Sequence, residues 1–493
     1  MDLFEEYKSL RSYMRRFDLL SSLTDVWHYS LHIMEYQPLP AGYAFGKSAP
    51  MLQRLSELLH PWDLDILARE LVLNATRRGT RRLKNGKHLI EVIGHIQRVG
   101  QTIYAADGGP QIDYVFDLHR GGHRQLRWQI DEGVPAMMRA LRVYGEVAVE
   151  PIVIRELGMT IQQLLRLGVT VRGCFLKNFY LSTNLDCSEL GISREASDAF
   201  FKRVTCTLEQ LKERTAACQR YDRDWLYTLN PLEHTPLVSI DPALPDRVLC
   251  PIPRYLMRRV SSGIFYDLVD SKNFANPFGK SFEAYVGDVI KLTCPSSRFT
   301  TLAEEPYQVG VRRMNGVDWV LSDNTGHLFI ECKAKRLTLN AKTLSNHAAL
   351  DKDLAIMAEA IAQHYQNIRR ALDGKTRWVP DGRPVFPLVL TLEDWFIFSP
   401  RVDEMLRKHL CQALAEACIP EQVLLEMPYT IASAHEFEIT SQIMARVGIF
   451  ALMAKKTAPE RRKSLLLPVV RTQFSEEMRH VKRVLFDNDW ANL

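Results

Sequence analysis

The sequence lacks the features that identify a secreted, zinc-binding or membrane-spanning protein. Its nine cysteines include no C-x-x-C pair and no histidine stands at zinc-finger spacing, so neither a disulfide scaffold nor a structural zinc site is supported. No run approaches the roughly 18 uninterrupted apolar residues that a bilayer span needs, and the opening MDLFEEYKSL has no apolar core. We therefore expect a protein of the reducing cytoplasm that does not contact membranes.

The net charge is also small, and the chain has no complete phosphate-loop motif. Lys and Arg number 63 and Asp and Glu 58, and a net charge of +5 over 493 residues does not by itself indicate a polyanion partner. The tetrapeptide FGKS occurs at 45–48 and 278–281, but Ala41 and Phe274 stand where a P-loop needs glycine. Neither copy is expected to cradle a nucleotide.

The length and the distribution of proline predict two large domains. At roughly 150 residues per domain, 493 residues allow about three domains, and two large ones fit the pattern better. Residues 1–250 have mostly helical spacing, although the segment IDYVFDLH, which begins at Ile112, alternates like a strand. The chain from Asn230 to Pro253 is rich in proline and marks a connection. We therefore predict a mixed, mostly helical domain over 1–250 and a second domain over 251–493.

The second domain begins with a clear order of predicted elements. Residues 279–293 have the apolar stripe of a helix, and two turns at Asn315-Gly316 and Asn324–Gly326 separate three β-rich runs. These runs are Tyr307–Arg313, Val317–Leu321 and Leu328–Lys333. They predict an antiparallel meander, which a long amphipathic helix over 350–372 and two strand-like segments, VFPLVLTL and DWFIFS, follow.

Acidic side chains and a lysine are placed within this predicted meander. Alternation along the third run puts Glu331 and Lys333 on one face, and Asp318 stands in the apolar segment VDWVL. A buried carboxylate is costly unless it is paired or binds a metal. Asp318, Glu331 and the Cys332 carbonyl offer the oxygen ligands that Mg²⁺ and Mn²⁺ prefer, and Glu283 on the preceding helix can complete the set.

Helix-borne Glu283, then Asp318, then Glu331-x-Lys333 on the next strand resembles the signature of the PD-(D/E)XK nuclease superfamily. The resemblance implies an α/β (α+β) fold in which helices flank a mixed central sheet, as in restriction endonucleases. It implies that Asp318 and Glu331 bind the metal, that Lys333 is the catalytic lysine and that Glu283 is the first-helix acid. It also makes Gln363, on the helix after the third strand, a candidate for the active site. The proline of the family name is absent, because Val317 precedes Asp318.

The resemblance implies a Mg²⁺- or Mn²⁺-dependent endonuclease that acts on nucleic acid, with DNA favoured. Bacterial anti-phage defence or restriction of mobile elements, under the control of a regulatory or defence-system partner protein, is the biological role that we expect, with repair as the competing role. Two alternatives stay open: a catalytically inactive nucleic-acid-binding or scaffold protein with this fold, and an RNA-directed nuclease. Whether two chains pair as a homodimer to cut both strands is also open.

The residues themselves allow a simpler interpretation of the motif. An E-x-K on a strand is often a solvated ion pair, and Lys335 and Arg336 are as compatible with a solvated strand end as with phosphate contacts. His119 and His123 flank RGG in a predicted loop, where we expect surface histidines.

Overall fold

The computed structural model describes residues 3–43, 55, 57–106, 114–128, 133–303, 305–309 and 311–490. Helices dominate, and the N-terminal region is largely helical, so the predicted mixed α/β class is confirmed. The helices are α1 Leu3–Met14, α2 Leu19–Glu35, α3 Pro61–Asn74, α4 Gly86–Ala106, α5 Tyr114–Gln125, α6 Val134–Tyr144, α7 Glu150–Leu157, α8 Ile161–Phe175, α9 Arg194–Val204, α10 Leu208–Cys218, α11 Arg254–Val260, α12 Ile264–Leu268, α13 Ala275–Thr293, α14 Leu339–Thr343, α15 Ala348–Leu372, α16 Pro400–Glu416, α17 Val423–Glu426, α18 Ala434–Val447, α19 Ile449–Thr457, α20 Leu466–Gln473, α21 Ser475–Met478 and α22 Asp487–Trp490.

In the described part of the chain, the strands form three sheets. They are β1 Tyr180–Ser182, β2 Thr205–Thr207, β3 Leu237–Ser239, β4 Arg247–Leu249, β5 Thr300–Ala303, β6 Tyr307–Val309, β7 Arg312–Met314, β8 Trp319–Ser322, β9 His327–Lys333, β10 Val385–Thr391 and β11 Thr430–Ser433. A small sheet has the order β1-β4-β3-β2, the main sheet has the order β11-β10-β9-β8-β5, and β6 pairs with β7 alone.

The main sheet is mixed. Strands β5, β8 and β9 are antiparallel neighbours, whereas β9, β10 and β11 run parallel. The parallel connection from β9 to β10 contains the long helix α15, as parallel strands require a crossover. Without the β6-β7 hairpin and the short helix α14, these elements follow the order α13-β5-β8-β9-α15-β10. The sequence predicted the same α-β-β-β-α-β order, but with Tyr307–Arg313 in the place of β5.

Alternation along β9 separates the two faces of the sheet. Leu328 and Ile330 belong to an apolar cluster with Phe282 and Val286 of α13. Phe329 instead packs with residues of the opposite face, including Ile368 of α15. Because side chains alternate along a strand, Glu331 and Lys333 lie on the α15 face with Phe329.

Apolar contacts cross the predicted domain boundary. One cluster contains buried residues from Met137 to Phe486 and so includes both sides of position 250. A second cluster joins helices α1 to α4 to Tyr255. The boundary at 250/251 remains a prediction, but the core does not divide there.

Three local predictions were wrong. The run at Tyr307–Arg313 is not the first strand of the meander, because it contributes to the separate β6-β7 hairpin while β5 pairs with β8. The segment DWFIFS contains no strand. The predicted strand IDYVFDLH is helical from Tyr114, and Ile112 and Asp113 lie outside the described residues.

His119 and His123 also differ from expectation. Both lie on α5 and are buried, and the His123 ring packs against Phe396 with ring centroids 4.9 Å apart. They are therefore core residues and not surface histidines. No helix in the described part of the chain is long and apolar enough to cross a membrane.

Candidate active site

The ends of β8 and β9 bring Asp318 and Glu331 together. Trp319 of β8 pairs with Ile330 of β9 in an antiparallel ladder, so Asp318, one residue earlier, stands opposite Glu331. The Cys332 backbone N–H donates a hydrogen bond to Asp318 Oδ2 at 2.6 Å. Both acids are buried, with 8% of Asp318 and 5% of Glu331 exposed. The register of two strands therefore fixes two carboxylates at one edge of the sheet.

Lys333 completes the E-x-K motif at the rim of this site. Its Nζ lies 2.7 Å from Glu331 Oε1, and 29% of its side chain is exposed. Burial alone would lower the pKa of the Lys333 amine, but attraction and hydrogen bonding to Glu331 outweigh burial and raise it above its ordinary value. The lysine is thus a cation at neutral pH that lies between the acids and solvent.

Helix α13 places Glu283 close enough to act on Asp318 electrostatically. The Trp319 indole Nε1 donates to the Glu283 carbonyl oxygen at 2.9 Å, which ties the helix to β8. The ring fits because residue 287 is glycine: a Cβ there would lie 2.3 Å from Trp319 Cζ2. The Glu283 carboxylate itself pairs with Lys280 at 2.6 Å.

Burial and the neighbouring acids disfavour the ionised form of Asp318. Burial, together with repulsion from Glu331 and Glu283, raises the pKa of Asp318 to about 8. The hydrogen bond from Cys332 N and the charge of Lys333 oppose this rise without cancelling it. A single lysine therefore does not balance the acids, and added positive charge would stabilise the ionised cluster.

The helix side chain that faces Glu331 is His364, whereas Gln363 does not face it. Gln363 is exposed, while His364 is fully buried and its Nδ1 lies 3.7 Å from Glu331 Oε2. The carbonyl of Phe329 accepts from His364 Nε2 at 3.1 Å, so Nε2 carries the ring proton. The assignment of Gln363 to the site is therefore corrected, because a rotation of about 100° per residue along α15 turns it to solvent.

His364 is a neutral packing partner of Glu331. Burial, together with the charge of Lys333, lowers the pKa of His364 to about 3, although the hydrogen bond to the Phe329 carbonyl opposes the change. The sequence contained a signal for this residue, because position 364 falls between Ile361 and Ile368 at helical spacing on the buried stripe. No comparable signal identified Gly287, whose role depends on the ring that reaches it from β8.

Cys332 contributes its backbone to the site. Its side chain points to the α13 face and belongs to the apolar cluster there, and burial raises the pKa of the thiol well above its ordinary value. The thiol is therefore not a metal ligand in this arrangement. The role of the Cys332 carbonyl as a ligand stays a prediction.

The donor set fits a cation that keeps most of its water. Within the described residues, no group of three or more His, Cys, Asp or Glu side chains is arranged to hold a metal ion. Mg²⁺ usually binds one or two carboxylates and fills its remaining positions with water and substrate phosphates. Asp318 and Glu331 supply such a pair, with Glu283 nearby.

The basic residues that follow Lys333 have structural partners. Lys335 Nζ lies 3.3 Å from Asp353, and Arg336 is buried, with Nη1 2.6 Å from Glu393 and 2.7 Å from the Ser262 carbonyl. Strand β9 ends at Lys333, so neither residue continues it.

Comparison of the chain with models of protein families, with curated proteins and with solved structures found no match.

Proposed function

We propose that this chain is a Mg²⁺- or Mn²⁺-dependent nuclease that hydrolyses phosphodiester bonds, with DNA as the favoured substrate. The observation that supports the proposal most is the grouping of Asp318, Glu331 and Lys333 at the ends of two paired strands. Two acids buried beside each other at a partly open edge are unfavourable without a positively charged ligand. A structural ion pair would need only one acid for the one lysine.

Each residue has a role that follows from its position. Asp318 and Glu331 would hold the ion, which when bound acidifies water and neutralises charge on a phosphate. Lys333 keeps its proton and presents it next to Glu331, where it can orient the attacking water and stabilise the pentacovalent phosphorus. Glu283 adds negative charge from α13. His364 packs against Glu331 from α15.

The cysteines and the hazard of a free nuclease bear on the cellular role. All nine cysteines are free thiols in the described residues, which favours a reducing compartment such as the cytoplasm. An unrestrained nuclease would damage its own genome, so we propose a role in anti-phage defence with a regulatory partner. The inactive-scaffold alternative is less favoured, because Glu283, Asp318, Glu331 and Lys333 are all present.

The test is cleavage by the full chain of a panel of nucleic acids. Plasmid DNA, single-stranded DNA and RNA are incubated with Mn²⁺, with Mg²⁺ or with EDTA, using wild type, Asp318→Asn and the control Asp288→Asn. Asp288 lies on α13 and pairs with Arg142, away from the acid pair. We expect metal-dependent cleavage that falls at least 100-fold in Asp318→Asn and is unchanged in Asp288→Asn.

The outcomes separate the alternatives. Cleavage of RNA alone would transfer the proposal to an RNA-directed nuclease. Binding to the panel without cleavage under any metal condition would favour the scaffold alternative. Cleavage that persists in Asp318→Asn would remove this site from consideration.

A further inference from the structure

A second cleft lies beside the candidate active site. A cavity of about 110 Å³ is enclosed by the ends of β10 and β11, by α16 and by the chain near Lys456–Leu465. Its lining includes Thr391, which pairs with Lys333 across β9 and β10, and Ser433, which pairs with Thr391. Adjacent strands are about 4.8 Å apart, so the cavity begins one strand from Lys333.

The cavity and the candidate active site open on the same face of the sheet. Val389 pairs with Glu331 and packs in the cluster formed by α15 and α16, whereas Leu388 and Leu390 pack in the α13 cluster. Because side chains alternate along a strand, Thr391 points to the face covered by α15 and α16, which is also the face of Lys333. Ligands of sheets with parallel strands commonly bind at these carboxyl ends.

The walls of the cavity suit a flat apolar group. Leu406, Leu410 and Leu424 are buried side chains of the lining, and Trp395 and Tyr429 add aromatic surface.

Polar groups at the floor add hydrogen-bond acceptors. Glu436 is occupied structurally, because its two oxygens accept from the backbone N–H groups of Ser433 at 3.0 Å and Leu467 at 2.8 Å. Asp394 lines the same region, where burial raises the pKa of its carboxyl and a hydrogen bond with Ser433 opposes the rise. The Asp394 carboxyl oxygens can accept N–H groups from a ligand, because a carboxyl group keeps an acceptor oxygen in either protonation state.

The mouth of the cavity is basic. Arg407 and Lys463 line it and are exposed, and Arg462 lines it and is half-buried. Lys463 also pairs with Asp403 at 2.7 Å, which holds the lysine at the rim. Arginine and lysine at an exposed rim favour a phosphate, and arginine offers it two parallel donors.

We propose that this cavity binds one nucleotide, with its base between the apolar walls and its phosphate at Arg407 and the neighbouring cations. A base supplies N–H donors for Asp394 and a flat apolar face for the aromatic and leucine walls. The nucleotide has two potential sources: the residue of a nucleic-acid substrate next to the scissile phosphate, or a free nucleotide that regulates the enzyme. With either source the inference rests on the proposed nuclease, because the bound nucleotide would belong to its substrate or would regulate it.

The binding test does not require cleavage. The full chain is titrated calorimetrically with each common ribo- and deoxyribonucleoside 5′-monophosphate and with inorganic phosphate, using wild type, Leu424→Trp, Arg407→Ala and the control Arg401→Ala. Arg401 is exposed on the same helix and pairs with Glu404. We expect at least one nucleotide to bind wild type with a Kd below about 1 mM. The Kd should rise at least 10-fold in Leu424→Trp and Arg407→Ala and stay unchanged in Arg401→Ala.

Three results would overturn the inference. The first is that no nucleotide binds wild type within this range, and the second is that inorganic phosphate binds equally well. The third is that Arg407→Ala, which alters only an exposed side chain, binds like wild type; this outcome decides the matter even if Leu424→Trp fails to fold.

Cleavage assays with added nucleotide identify the source. Competitive inhibition would assign the cavity to a nucleotide of the substrate, and activation would assign it to a free effector. If wild type binds nucleotide but cleaves no nucleic acid, the proposed nuclease fails while the nucleotide site stands. If wild type cleaves nucleic acid but binds no nucleotide, the nucleotide site fails while the proposed nuclease stands.

Discussion

At the scale of a single residue, the surroundings of Asp318 would favour a bound cation. It is buried, it stands opposite Glu331, and its Oδ2 is fixed by the Cys332 N–H. Burial and two neighbouring acids disfavour its charged form. A divalent cation would offset this repulsion directly, whereas Lys333 alone offsets only part of it.

Divalent cations should therefore stabilise the native protein through Asp318. We expect Mn²⁺ at about 100 times its Kd to raise the free energy of unfolding of wild type by about 2.7 kcal/mol. In Asp318→Asn the effect should largely vanish, because the amide is a poor ligand for a hard cation. Thermal unfolding with Mn²⁺ or EDTA measures the difference, and equal stabilisation of both proteins would contradict the site.

His364 and Gln363 are neighbours in sequence with opposite environments. We expect His364→Ala to reduce the cleavage rate at least 10-fold, because the buried contact that holds Glu331 is lost. Gln363→Ala should leave the rate within about twofold of wild type, because Gln363 is exposed. The ratio of the two rates under identical metal conditions is the measurement. A larger loss in Gln363→Ala would restore the role first assigned to that glutamine.

Among the elements, α13 and β8 depend on each other for their placement. The Trp319 ring lies against the backbone of Gly287 and bonds to the Glu283 carbonyl, so helix and strand form one support for the acids. A side chain at position 287 must displace either the ring or the helix. This close approach explains why a glycine is retained within a helix despite its low helix propensity.

Two glycines of α13 provide a matched pair for testing this support. Gly287→Ala should destabilise the protein by about 1–3 kcal/mol through overpacking and should reduce cleavage. Gly279→Ala has open space within 4 Å of the added Cβ and should stabilise the same helix by about 0.5–1 kcal/mol. Urea unfolding gives both values, and similar effects of the two substitutions would refute the close contact as the cause.

Sequence patterns predicted the position of the central helices and strands better than they predicted which strands pair. The faces of β9 follow from simple alternation, and Glu331 with Lys333 was placed correctly on one of them. The pairing of β5 with β8 was missed, because the Tyr307–Arg313 run has the stronger β pattern yet pairs only within its own hairpin. Strand partners depend on contacts that are distant in sequence, so local propensity does not determine them.

On the scale of the whole molecule, α5 joins the N-terminal region to the segment after the candidate active site. Arg120 is fully buried, donates to the Thr343 carbonyl at 2.9 Å and pairs with Asp224 at 2.6 Å. Asp224 also accepts from the Ser345 N–H at 2.9 Å. These bonds connect residues on both sides of position 250, which agrees with the shared apolar core.

This junction should make stability depend on pH. Burial lowers the pKa of His119 to about 4, although backbone hydrogen bonds with Phe396 and Ala341 partly oppose the change. The unfolded chain therefore binds more protons than the folded one between pH 4 and 6.5, and stability falls as the pH decreases through that window. His119 should contribute about 2–3 kcal/mol to this fall.

The expected comparison is between wild type and His119→Phe. Unfolding free energies measured by urea titration from pH 7.5 to 4 should decline less steeply in the variant. Parallel curves for the two proteins would show that His119 is not the group responsible.

The proposed site depends most directly on the amine of Lys333. The decisive measurement is the initial rate of DNA cleavage in saturating Mn²⁺, compared for wild type, Lys333→Met and the control Lys352→Met, which alters an exposed lysine of α15. We predict that Lys333→Met loses at least 100-fold in rate while the control keeps the wild-type rate, with no cleavage in EDTA. Equal rates for Lys333→Met and wild type would contradict the proposed site.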